Sequence, residues 1–324
     1  MRVVFFGTPS FAARVLEDLL EHKVNVVAVI SKPDRPKGRS GIPVPTPVKL
    51  VALTQHPPLP VFQPDLVSAS DFANTLEAYE ADLFVVVAYG EIIKQHLLEM
   101  PRKACINLHA SLLPKYRGAA PIQRCIMEGE TETGITIMHM AKKMDAGDMI
   151  EKVKVSIGPE MTFGELEELL CEVGKKALLN VINAFEKGEP PRVPQDHSQA
   201  TFAPKIELED CEIQWDQSAQ KLHNLVRGVN PDPGAWCYVL VRGEKKRLKI
   251  SRTKIIPSEK EKPGTVLNAH QTKGNLLIVT KDQALELIEV QLEGKKRMSS
   301  EELTRGISRS HIQFAWPEDY QIIG

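Results

Sequence analysis

At 324 residues the chain is long for one hydrophobic core, and two domains are expected. Apolar residues make up 42% and charged residues 26%, the balance of an ordinary globular protein, and a net charge of −1 excludes a globally basic nucleic-acid binder while leaving local patches open. The 5 cysteines are scattered and form no C-x-x-C pair, which argues against a disulfide framework or a zinc site and for reduced thiols.

Met1–Gly7 reads as a first strand, because its apolar run is too short for a signal peptide. No apolar stretch approaches the roughly 18 residues that span a bilayer, so a cytoplasmic protein is expected. Thr8-Pro9 offers an N-cap and a proline at the first helical position, and Phe11, Val15, Leu16, Leu19 and Leu20 continue a helix over 9–22. Val24–Ile30 and Leu83–Ala88 are continuous apolar runs of the kind found in parallel sheets covered on both faces. Pro121 opens a helix ending near Gly129, and Gly134–Met140 supplies another strand. Thr162 and Glu165 have capping-box spacing ahead of a long amphipathic helix closed by Gly188. Strands alternating with helices predict an open α/β sheet.

Residues 189–206 are rich in proline and read as an extended linker. Beyond it, short β-rich runs at 236–241, 247–251, 264–268, 275–280 and 285–290 predict a small β-barrel. The expected division is therefore 1–188, a linker over 189–206, and 207–324.

The chemistry concentrates in Cys105–Gln123. Asn107 and His109 stand two apart at the end of an apolar run, so a strand would project them side by side from one face. An amide donor beside an imidazole can hold a developing oxyanion while a proton moves, the requirement of acyl transfer. In an open α/β sheet this pair falls beyond a strand's carboxyl end, where ligands bind. After the next strand, Asp145 and Asp148 flank Gly147, and either could bring a carboxylate to the imidazole. Gly7-Thr8-Pro9-Ser10 lacks both G-x-G-x-x-G and the P-loop lysine, so it is read as a tight turn into a capped helix.

Two segments are basic. Residues 32–49 hold 5 positive charges (Lys32, Arg35, Lys37, Arg39, Lys49) against 1 negative. Residues 242–254 hold 7 against 1, with Lys245, Lys246, Arg247 and Lys249 at their centre. Basic segments in both predicted domains suggest a polyanionic partner.

These residues carry a resemblance. Asn107-Leu-His-Ala-Ser-Leu-Leu-Pro-Lys-Tyr-Arg-Gly-Ala-Ala-Pro-Ile-Gln123 closely resembles the signature of the methionyl-tRNA formyltransferase family, within the folate-dependent formyltransferases. Phe6–Pro9, Lys32–Arg35, Val87–Gly90, Met144–Met149 and Ala203–Lys205 support it. The resemblance implies a Rossmann-like N-terminal domain and a C-terminal barrel like the oligonucleotide-binding fold. It implies formyl transfer from 10-formyltetrahydrofolate to initiator methionyl-tRNA, leaving tetrahydrofolate, with no metal. It places catalysis on Asn107, His109 and Asp145, and folate along Ser111, Leu112, Leu113 and Pro114 and near Tyr89 and Gly90. The basic loop, Arg39 foremost, would enter the tRNA acceptor end. Asp232 stands where this family would have an aromatic residue. Transfer to a small amine, such as a nucleotide or amino sugar, is the alternative reading, and a monomer is expected.

Overall fold

The computed structural model describes residues 1–36, 41–258, 261–267, 274–308 and 311–314. They form two compact units, the first holding Met1–Pro121, Glu132–Ser156 and Glu167–Pro204, the second Ile122–Thr131, Ile157–Leu166 and the chain from Lys205 onward.

The chain opens with β1 (Val3–Gly7), α1 (Ser10–Glu21) and β2 (Val26–Ile30). A short antiparallel pair follows, β3 (Arg35–Pro36) with β4 (Pro43–Val44), then α2 (Pro47–Leu53), β5 (Val61–Phe62) and α3 (Ser70–Glu77). Next come β6 (Leu83–Val87), α4 (Gln95–Leu98), β7 (Ala104–His109) and α5 (Pro121–Met127). β8 (Glu132–His139), β9 (Met149–Ser156) and α6 (Phe163–Lys187) complete this part.

Seven strands form one sheet in the order β5-β2-β1-β6-β7-β8-β9. The first five are parallel. β8 runs antiparallel to both neighbours, so the expected parallel sheet carries an antiparallel edge. Every residue of β1 and β6 is buried, as strands covered on both faces must be. Burying side chains such as Phe5 and Phe6 contributes about 1.5–3 kcal/mol each. The chain moves outward from β1 through β2 to β5, then resumes on β1's other side with β6, which makes a switch point at the carboxyl ends of β1 and β6.

Thr8 sits at that switch point and does not cap α1, whose N-cap position is Pro9, without a side-chain bond. Its hydroxyl instead donates to the Tyr89 carbonyl at 2.8 Å and accepts the Lys32 amide at 3.4 Å, tying together the exits of β1, β6 and β2. The capping box ahead of α6 is present: the Thr162 amide donates to Glu165 at 2.8 Å and the Glu165 amide to the Thr162 hydroxyl at 3.3 Å. α6 lies against the sheet face opposite the site, where Gly174 leaves room for Leu108; a Cβ there would stand 3.0 Å from Leu108 Cδ1.

The proline-rich segment after α6 is held against the first unit by backbone bonds. Val193 pairs with Met149 in both directions, Arg117 donates to Thr201 at 2.9 Å, and Ala203 donates to Arg117 at 2.7 Å.

In the second unit follow α7 (Ala219–Gly228), β10 (Ala235–Val241), β11 (Glu244–Ile256), β12 (Val266–Leu267), β13 (Leu276–Val279) and β14 (Ala284–Leu292). β15 (Met298–Ser299), α8 (Ser300–Gly306) and β16 (Ile312–Phe314) end it. The strands make one antiparallel, barrel-like sheet ordered β12-β13-β14-β11-β10-β16, with β15 on β14. Trp215, Val226, Leu248, Ile250, Leu285 and Phe314 belong to its core. Asp232, the departure from the family segment, is exposed.

Candidate active site

β7 brings the site together. Asn107 pairs with Val86 of β6 and Met138 of β8, and His109 pairs with Thr136. The alternation sends Leu108 toward α6 and sets Asn107 and His109 on the opposite face. Asn107 is half-buried and His109 is 6% exposed.

His109 is held from two sides. Its Nε2 lies 2.9 Å from the Tyr116 carbonyl, which only accepts, so this nitrogen carries a hydrogen. Its Nδ1 faces Asp145 Oδ2 at 3.7 Å. Of the two acidic residues left open by the sequence, Asp145 is the one at the imidazole. Asp148 instead meets Arg192 at 3.3 Å, half-exposed.

The Asp145 carboxylate also accepts the Gly118 amide at 2.8 Å. Gly118 has φ +124, and a Cβ there would stand 2.6 Å from the Ala203 carbonyl oxygen, so the position requires glycine. Asp145 itself has φ +50, a conformation that Asp tolerates better than most residues.

Behind this loop lies a buried polar group that the sequence did not announce. The Gln195 amide donates to the carbonyls of Asp145 and Gly147, both at 2.8 Å. Its Oε1 accepts from Arg117 Nε at 3.2 Å and from a terminal nitrogen at 2.5 Å. Arg117 is 1% exposed and also donates to His197 Nδ1 at 2.9 Å. Arg117 and Gln195 are 78 positions apart, with no periodic pattern to link them.

The residues expected on the folate side are placed unevenly. Ser111 is buried, its hydroxyl donating to the Lys115 carbonyl at 2.6 Å. Thr136 braces the same loop, donating to the Ser111 carbonyl at 2.7 Å and accepting from Leu113 at 3.1 Å. Leu113 packs with Met138 and Met149. Tyr89 packs into the core against Phe6, its ring centroid 5.7 Å away. Burial pushes the Tyr89 phenol pKa up. Only Leu112 and Pro114, half-buried, and Gly90, exposed, leave accessible surface among the six. A groove of about 490 Å³ lined by residues such as Leu76, Glu80, His96 and Arg102 lies by the starts of β6 and β7, away from the strand ends that carry the pair. No group of three or more His, Cys, Asp or Glu that could hold a metal occurs among the described residues.

Of the basic candidates, Lys37 and Arg39 lie outside the described residues, and Arg35 is exposed on β3. In the second unit the register opposes Trp236 to Lys249, Tyr238 to Arg247 and Leu240 to Lys245, which gathers three cations and two aromatic rings on one face. The Arg247 guanidinium lies 3.9 Å from the Trp236 ring centroid and Lys245 Nζ 4.2 Å from that of Tyr238. Lys246 is one residue out of phase and pairs with Glu244 at 2.9 Å. It therefore leaves the cluster in which the sequence had grouped it.

Comparison with known proteins places this geometry in a family. Residues 1–182 match the Formyl transferase family and 205–308 the Formyl transferase, C-terminal domain family. The chain is 70% identical to the methionyl-tRNA formyltransferase of Protochlamydia amoebophila, over 97% of this chain and 98% of that protein. It is 44% identical to that of Chlamydia pneumoniae, over 98% of each. Among solved structures, HypX from Aquifex aeolicus in complex with tetrahydrofolic acid shares the fold, with a TM-score of 0.63 at 20% identity over 94% of this chain and 47% of that one. Two matched family domains and near-full-length identity on this scale establish that the chain belongs to the methionyl-tRNA formyltransferase family.

Proposed function

We propose that this chain transfers the formyl group of 10-formyltetrahydrofolate to the α-amine of initiator methionyl-tRNA, with Asn107, His109 and Asp145 as its catalytic residues. The observation that carries this reading is the shared strand face of Asn107 and His109, with Asp145 3.7 Å from the imidazole.

The donor supplies a formyl carbon whose oxygen gains negative charge when the amine attacks. An α-amine with an ordinary pKa of about 7.7–8.0 is partly neutral at cellular pH and needs little activation. The Asn107 carboxamide offers a hydrogen to that oxygen from the open side of the strand. His109 donates its Nε2 hydrogen to Tyr116 in this state; a full negative charge is the stronger acceptor and would take that hydrogen over. Asp145 fixes the ring from its other nitrogen and balances its charge when the amine proton is taken up. The C–N bond to the amine forms, the bond to the folate nitrogen breaks, and the proton passes to the departing nitrogen.

Leu112, Pro114 and Gly90 offer the surface for folate. Ser111, Leu113 and Tyr89 act behind it, as scaffold. Arg35, Lys245, Arg247 and Lys249 are the described residues proposed to meet tRNA phosphates, and Lys37 and Arg39, from the same basic stretch of sequence as Arg35, are proposed with them. In this reading 1–188 carries the chemistry and 207–324 helps hold tRNA, and the protein works as a cytoplasmic monomer.

The test is a panel: 10-formyltetrahydrofolate with methionyl-tRNA, other aminoacyl-tRNAs, an aminosugar nucleotide and a glycinamide ribonucleotide. Formylation of methionyl-tRNA far above the others is expected. Preferential formylation of a small amine would overturn the substrate assignment.

A further inference from the structure

We infer that Gln195 is a positioning residue, one that sets the Asp145 carboxylate against His109 by clamping the backbone of the Asp145 loop, with Arg117 as its anchor. The inference rests on the catalytic reading of Asp145 given above.

Asp145 depends on its loop for its position. Its carboxylate reaches the site from a loop residue with φ +50, not from a strand or helix. A loop fixes a catalytic atom only when its backbone groups are themselves fixed. Two carbonyls in this stretch, those of Asp145 and Gly147, accept from one side-chain amide, both at 2.8 Å. Their separation by two residues makes Gln195 a staple across the turn.

The staple is itself immobilised. Gln195 is 6% exposed, and both its polar atoms are used: the nitrogen on the loop, the oxygen on Arg117. An arginine has only donors, so Arg117 fixes which end of the amide is the oxygen and therefore presents the two amide hydrogens to the loop. Arg117 is held in turn by His197 Nδ1 and by its own backbone bonds to Thr201 and Ala203. The next residue, Gly118, donates to the Asp145 carboxylate, so one short segment anchors the staple and directs the carboxylate. A buried guanidinium costs free energy unless its charge and donors are used, and here they orient the amide that holds the Asp145 loop.

Gln195→Glu separates positioning from mere packing. The carboxylate has nearly the amide's shape and still accepts from Arg117, so the anchor survives, but it has no hydrogens for the two loop carbonyls. The expected result is a folded protein with a melting temperature lowered by several degrees, because two loop carbonyls lose their donor, a kcat lower by about 10²-fold, and KM values for 10-formyltetrahydrofolate and methionyl-tRNA within about two-fold of the parent. The same change in an Asp145→Asn background is expected to cost almost nothing more, because Gln195 acts through Asp145. Asparagine tolerates the left-handed conformation at 145 and still accepts from Gly118. Should Gln195→Glu fail to fold, Gln195→Asn, whose amide stops one methylene short, carries the same two expectations. A kcat near the parent's in the folded variant, or losses that multiply in the double variant, would overturn the inference. An Asp145→Asn variant with parental activity would overturn the catalytic reading of Asp145, and this inference with it.

Discussion

Asp145 Oδ2 stands 3.7 Å from His109 Nδ1 while accepting the Gly118 amide at 2.8 Å, so one carboxylate joins the end of β7 to the turn that follows it. A charge-assisted bond of this kind positions the carboxylate more firmly than a neutral one would. The site's accuracy therefore depends on two loops as much as on the strand.

Gly147 lies inside the Asp145–Asp148 turn with no room for a side chain; a Cβ would run into the His139 carbonyl. Gly147→Ala is expected to destabilise the fold by about 1–3 kcal/mol, the usual cost of overpacking, and to lower kcat through displacement of Asp145. Urea unfolding alongside formyl-transfer kinetics checks both. A variant with parental stability and rate would show that the turn is slack.

The cationic face of β10 and β11 predicts a salt effect. Log affinity for tRNA should fall linearly with log salt, and Lys245→Ala or Arg247→Ala should each reduce that slope by about 1. Lys246→Ala should leave the slope unchanged, since Lys246 is out of phase and paired with Glu244 at 2.9 Å. Binding isotherms at four or five salt concentrations decide it. Equal slopes for all three variants would remove this face from the tRNA interface.

Stability should depend on pH near neutrality. Burial holds His223 below the ordinary histidine range, and its Nδ1 is 2.9 Å from the Thr253 hydroxyl, with Glu160 3.6 Å from Nε2. Burial, with Arg192 as a second cause, does the same to His139. Unfolded, both take a proton near pH 6.5; folded, they resist it, so the unfolded state binds more protons there. Melting temperature is therefore expected to fall as pH drops through about 6.5, levelling off below the lowered folded values. His223→Gln should flatten that dependence. A melting temperature constant from about pH 7.5 to 5.5 would contradict it.

The sequence made some parts of this site legible and hid others for physical reasons. Asn107 and His109 were readable because strand alternation is fixed: residues two apart share a face wherever the strand lies. Asp145 and Asp148 were indistinguishable by spacing, because a left-handed residue in a turn decides which one reaches the imidazole. Gln195 and Arg117 gave no signal, since a pairing across 78 residues is set by tertiary packing alone. Tyr89 carried a family motif, yet its ring fills the core beside Phe6. β9 is hard to read in the sequence because Glu151, Lys152 and Lys154 give an edge strand the look of a loop. α7, by contrast, is legible in the sequence: Ser218 caps it, and Leu222, Leu225, Val226 and Val229 recur at helical spacing, although His223, Asn224 and Arg227 are buried beside them. The Thr8 hydroxyl had two possible uses, and joining three strand ends prevailed over capping one helix.

The central claim is that Asn107 and His109 stabilise the charge formed on the formyl oxygen. The direct measurement is kcat for formyl transfer from 10-formyltetrahydrofolate to methionyl-tRNA, at saturating substrates, for the parent, Asn107→Ala and His109→Ala. Each single change is expected to lower kcat by about 10²–10³-fold, the usual loss for one oxyanion donor. A folded His109→Ala enzyme within about two-fold of the parent would contradict the account.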